Sequence, residues 1–298
     1  MILPSAIALG REFAGARFQI APVRGLSVQD GLVIGSVLVL IACYLLPLGA
    51  VVALSFLVPV PGIGNYWSIF QNATVHAVVG KTLWISSLTV GLTLLLGYIT
   101  AYALVQAGPV ARKLMLAGVL LPLWISVLVR NYAWIALLSP GGIVNSILIR
   151  WGWLDQPVSL VRNSFGVVLG MVHYMLPYAI LPIYAQMARI DSTLPHLARS
   201  LGASPRQAFI RVFLPLSRPG LAAAAFLTSI MSLGFYLTPA MLGGGKTVMV
   251  AEFISIQVTE TLRWDIATTL STLLLLVTGA LVWRFSHLLE LATAKPKT

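Results

Sequence analysis

Residues 188–220 read ARIDSTLPHLARSLGASPRQAFIRVFLPLSRPG. The stretch is polar but patterned, and it lies between two apolar runs, 164–187 and 220–242, each long enough to cross a bilayer. Ser192 or Thr193 can cap a short helix that stops at Gly202, because glycine readily takes the left-handed conformation that ends helices. Ser204 and Pro205 then read as the cap and first residue of a second helix over 205–213. On that helix Phe209, Val212 and Phe213 share a face, with Arg206 and Arg211 elsewhere. Leu214-Pro215 and Pro219-Gly220 are expected to break the chain before the next span. These residues describe a basic, amphipathic helix–glycine–helix elbow. Such an elbow can lie on anionic lipid or dock into a groove on another protein, and physics alone leaves both open.

Outward from the elbow the chain is apolar. Of 298 residues, 58% are hydrophobic and 9% charged, where soluble domains carry about a quarter charged residues. A soluble core of this length could not hide that much apolar surface, and disorder is excluded for the same reason. Six stretches can span a membrane as helices: 31–58, 79–107, 114–138, 164–187, 220–242 and 265–288. This is an all-α polytopic membrane protein. The first 30 residues contain Arg11, Arg17 and Arg24 and are followed by a run too long for a signal peptide, so the first span is read as retained. With the N-terminus inside, thirteen of the 19 Lys and Arg residues fall on inner segments, and loop 59–78 on the outside has none. Both termini and the elbow are therefore expected in the cytoplasm. The net charge of +11 is a topology signal, and no nucleic-acid partner is expected. The domains are an N-terminal segment 1–30, a six-helix domain 31–290 with its loop 188–219, and a tail 291–298. The single Cys43 cannot form an internal disulfide. Gly31/Gly35 and Gly166/Gly170 are GxxxG pairs, a hint of close helix packing.

The run LARSLGASPRQAFIRVFLPLSRPG resembles the EAA loop of permeases from binding-protein-dependent ABC importers. Ala198, Gly202, Ala203, Phe209, Val212, Leu214, Pro215, Pro219 and Gly220 carry the likeness. Segments 122–148 and 234–257 resemble the spermidine/putrescine branch, and the likeness covers roughly residues 30–290. It implies a type I ABC importer permease fold in a bacterial inner membrane. It also implies a coupling helix that docks on a cytoplasmic ATPase dimer through His196, Ala198, Gly202, Ala203, Phe209, Val212 and Pro215. His196 stands where the family has an acidic residue, and Leu197 where it has alanine. The implied partners are that ATPase, a second permease (a sister chain rather than a copy), a periplasmic binding protein and membrane lipid. No cofactor is expected in this chain. The substrate would be putrescine or spermidine; related permeases carry opines, amino-acid derivatives or iron complexes.

Other motifs are weaker. AMLGGGKT at 240–247 fits a loose phosphate-loop pattern, but it follows a membrane helix, not a strand, and it faces outside. His76, His173, His196 and His287 are scattered, so no metal or catalytic cluster is expected. His173 reads as a hydrogen-bonded packing residue. Asn72-Ala73-Thr74 is a sequon of the kind chance supplies. A polycation would favour carboxylates and aromatic faces, which makes Trp124, Tyr132, Tyr236, Glu252, Glu260 and Asp265 pathway candidates. An ion-coupled carrier would need carboxylates buried mid-span, and spans one to five have none. A membrane enzyme would need a clustered polar site, and no segment offers one.

Overall fold

The computed structural model describes residues 28–191 and 193–293, leaving the side chains of residues 28–30, 195 and 288–293 undescribed. The N-terminal segment and the end of the tail thus lie outside the described residues. The chain divides into two units, with the boundary after Ala50. Helix α1, Val28–Leu57, begins in the first and passes Pro47 without a break. The second unit holds α2 (Gly64–Gln71), α3 (Ala73–Gln106), α4 (Pro109–Leu120), α5 (Val127–Leu138), α6 (Ile143–Arg150) and α7 (Ser164–Met187). After the elbow helices α8 (Thr193–Ser200) and α9 (Pro205–Ala208) come α10 (Leu214–Leu233), α11 (Leu237–Leu242), α12 (Val250–Thr259) and α13 (Trp264–Thr293). Among the described residues, six segments are long and apolar enough to cross a membrane: Gly31–Leu57, Ala73–Gln106, Val127–Arg150, Ser164–Met187, Pro205–Leu233 and Trp264–His287.

Three expectations need correction. Span two starts earlier, at Ala73, because the Asn72 side chain accepts the Thr74 and Val75 amides at 2.9 and 3.3 Å and caps the helix. The sequon asparagine is thus a helix cap. Span three is not one helix over 114–138. It stops at Leu120, tightens to a 3-10 turn over Leu121–Trp124 around Pro122, and resumes at Val127. The Arg130 guanidinium reaches back to the carbonyls of Pro122 and Ile125, so the carbonyls at the break are not left bare. Span five starts before residue 220 and ends near Leu233. Gly234 to Tyr236 separate it from the short α11, which the expected span 220–242 had included.

Helix α7 is the hub. Near its start Val167, Val168, Met171 and Met175 are buried with Ile85 of α3, Leu138 of α5, Leu242 of α11 and Met249. Near its end Ala179, Ile180, Ile183 and Met187 pack with Ala101 and Leu104 of α3, Phe213, and Ala224 of α10. Lipid tails are as apolar as leucine, so close packing, not water exclusion, joins these helices. Small residues make it possible. A Cβ on Gly97 would lie 3.1 Å from that of Ala179, and one on Gly170 would lie 2.6 Å from Leu242 Cδ1. One GxxxG pair, Gly166/Gly170, therefore marks a real close approach.

Candidate functional site: the elbow and the membrane-depth cluster

The elbow forms where its turn residues place it. The exposed Asp191 carboxylate accepts the Thr193 amide at 2.9 Å at the start of α8. The Ala203 amide reaches Ala198 O at 3.0 Å across Gly202, whose φ is +90°. This is a Schellman turn, and it needs the left-handed glycine. Ser204 then accepts the Gln207 amide at 3.3 Å while Gln207 Oε1 accepts the Ser204 amide at 2.9 Å, with Pro205 in the first turn. That capping box closes the turn from both sides.

The expected break after residue 213 is absent. A π turn over Phe209–Phe213 joins α9 to α10, with the Leu214 amide bonded to Phe209 O. This shifted hydrogen-bond register meets Pro215, which has no N–H to offer, so the helix passes it unbroken. Pro219 lies inside α10, where Gly220 lets the helix close on α7; a Cβ there would lie 2.5 Å from Gln186 Cβ and 2.9 Å from Pro182 O. The elbow's second limb and span five are thus one rod from Pro205 to Leu233.

The residues expected to couple fall in three places. Ala198, Gly202, Ala203 and Val212 meet in one open concavity of ≈ 390 Å³, beside Leu201, which is 88% exposed. His196 and Phe209 line a second cavity of ≈ 360 Å³ with Tyr102, Gln106 and Arg199. Phe209 is turned toward span two, its ring edge-to-face with Tyr102 at 5.5 Å. Pro215 lies within the continuous rod, in the first turn of α10.

The pathway candidates do not converge. Trp124 is 90% exposed on the 3-10 turn, and Tyr132 faces outward from α5. Its neighbours Arg130 and Asn131 are buried instead. The Thr238 hydroxyl donates to Asn131 Oδ1 at 3.1 Å, and Arg130 lies 5.1 Å from the centre of the Tyr174 ring. Tyr236 sits in the break after α10 and is partly exposed. Glu252, in the first turn of α12, is 6% exposed with one carboxylate oxygen unpartnered. Glu260 is exposed, and Asp265 is bound in a fork by Arg263 at 3.1 and 2.8 Å. Trp134 Nε1 donates to His173 Nδ1 at 3.0 Å, the packing role expected of that histidine. Gly244 and Gly245 take φ of +57° and +75° in a turn between α11 and α12, so helices, not strand and helix, flank the GGGKT run.

Residues 93–293 match the family of binding-protein-dependent transport system inner membrane components. The chain belongs to this family. It is a multi-pass inner-membrane protein and a transport component, not an enzyme. It is 32% identical over 233 residues to the spermidine/putrescine transport system permease protein PotB of Haemophilus influenzae, covering 78% of this chain and 81% of that one. Against PotB of Escherichia coli K12 the identity is 32% over 200 residues, covering 66% and 73%. Among solved structures it resembles a chain of a bacterial alginate ABC transporter in complex with an alginate pentasaccharide-bound periplasmic protein. There the TM-score is 0.69 at 19% identity, covering 90% of this chain and 96% of that one. The expected ABC importer permease fold is the fold found.

Proposed function

We propose that this chain is one permease subunit of an ATP-driven polyamine importer, carrying putrescine or spermidine. In this reading both termini and the elbow are cytoplasmic. The chain supplies half of the pathway beside a sister permease, and two separate ATPase subunits hold the elbows. A binding protein delivers substrate to the opposite face. ATP closes the ATPases, the elbow moves with the rod that continues into span five, and the pathway changes the side to which it opens; hydrolysis resets it.

The observation that carries the ATPase reading is the elbow itself. A solvated loop needs neither a Schellman turn nor a capping box, yet both hold Ala198, Gly202, Ala203 and Val212 around one open concavity. The polyamine reading is supported by two relatives named as spermidine/putrescine permeases, each 32% identical.

The test is a gentle purification of the tagged chain from its native host, followed by uptake of labelled putrescine in proteoliposomes. Recovery of an ATPase, a sister permease and putrescine uptake is the expected result. Recovery of the chain alone, where a control ABC complex stays whole, would overturn the importer assembly. Intact assembly that transports an opine or an iron complex, but no polyamine, would overturn only the substrate.

A further inference from the structure

The elbow is joined to span five by continuous backbone, but its contact with span two is made by side chains. Tyr98 and Tyr102, one turn apart on α3, face Phe209 and Phe213, which bracket the π turn. The Phe209 and Phe213 rings stack at 5.7 Å and 19°. Tyr102 stands nearly perpendicular to both, 5.5 Å and 85° from Phe209 and 5.3 Å and 83° from Phe213. Tyr98 meets Phe209 at 6.4 Å and 87°, and its hydroxyl shares a hydrogen bond of 2.9 Å with the buried Ser217. Edge-to-face pairs are directional as well as apolar, because the positive ring edge meets the negative face. A ring set across two stacked rings resists sliding and tilting in a way that a flexible aliphatic chain of similar bulk does not.

Span two is itself anchored at this end. Arg112 of α4 donates to Leu104 O and Val105 O of α3 at 3.1 and 3.3 Å and to Ala107 O, just past its end, at 2.9 Å, closing carbonyls that the helix end leaves open. The clamp therefore connects the elbow to a fixed helix end.

We propose that Tyr102, seconded by Tyr98, is the positioning residue that locks the elbow to span two, so that spans two and five follow the elbow as one body. The proposal rests on the reading that the elbow docks on an ATPase, and its test separates the two.

Spin labels are placed at Ile99 and Ser200, both outside the clamp, in a Cys43→Ala background, and the chain is purified with its ATPase and sister permease. The distance between labels is measured with and without ATP. In the parent chain and in Tyr102→Phe, which keeps the ring, the distance is expected to hold within about 2 Å; in Tyr102→Leu it is expected to shift on ATP by about 5 Å, one helical turn. The ATPase should co-purify with all three chains and hydrolyse ATP at comparable rates. A Tyr102→Leu chain as invariant as the parent, or a parent distance that itself shifts with ATP, would overturn the clamp. Loss of the ATPase from Tyr102→Leu alone would also overturn it, by making Tyr102 a docking residue. Absence of the ATPase from the parent chain would instead overturn the docking reading, and the lever with it. If Tyr102→Leu does not insert, Tyr102→Met, which also removes the ring, is read against the same distances. A shift on ATP supports the clamp, and an invariant distance overturns it.

Discussion

Gly202 and Asp191 set the two ends of the elbow's first helix by different physics. Gly202, at φ +90°, occupies a region where an L side chain costs roughly 1–2 kcal/mol, more when β-branched. Nothing lies within 4 Å of the position a Cβ would take, so the penalty is backbone strain, not collision. Gly202→Val is expected to insert normally but to lose the ATPase in a pull-down; uptake equal to wild type would count against the docking role. Asp191 acts through charge. Hydrogen bonds from the Thr193 N–H and the Thr193 hydroxyl hold its carboxyl below the usual carboxylate range. A depressed folded pKa gives a contribution present above the unfolded value of about 4 and lost as pH falls through the folded one. The cap is thus complete at neutral pH. Amide exchange at Thr193 should quicken in Asp191→Ala at pH 7, quicken less in Asp191→Asn, which keeps the acceptor oxygen without the charge, and quicken in the parent only in strong acid.

At the scale of elements, spans three and five show how proline is read differently by different surroundings. Pro122 divides span three, and Arg130, eight residues on, donates to the carbonyls at the break. Arg130→Leu would leave Ile125 O without that donor and Pro122 O with only the Ile125 amide. A polar group left unsatisfied away from water costs roughly 1–3 kcal/mol, so a fall in the melting temperature in detergent is expected. Arg130→Lys should recover only part of it, since an ammonium lacks the guanidinium fork. Pro215 and Pro219 do the opposite and lie within an unbroken rod. Both sets of prolines are visible in the sequence. Whether each breaks a helix depends on a donor or a register shift supplied elsewhere. The elbow's turn was legible because Gly202, Ser204 and Pro205 act on their immediate neighbours. The direction of Phe209 was not, because it is set by Tyr98 and Tyr102, more than 100 positions away.

For the whole molecule, helix α7 is the element around which α3, α5, α10 and α11 assemble. The assembly depends on backbone approach at a few glycines. Gly220→Leu would drive a side chain into Gln186 and the Pro182 carbonyl, where backbone cannot yield cheaply. The expected outcome is a several-fold loss of monodisperse protein on size-exclusion chromatography, whereas Gly118→Leu, with open space around it, should behave as wild type. Composition, six apolar runs and the local turn chemistry of residues 191–205 were enough to determine a polytopic helical protein with an ordered elbow. Each of those depends on residues close in sequence and on transfer from water to lipid, which is nearly additive along the chain. Tertiary structure alone decided which prolines break, which face of the elbow's second limb turns to span two, and that Arg130 and Asn131 point inward while Tyr132 points out. Those outcomes depend on partners distant in sequence, and no local pattern encodes a donor or a ring that only folding brings near.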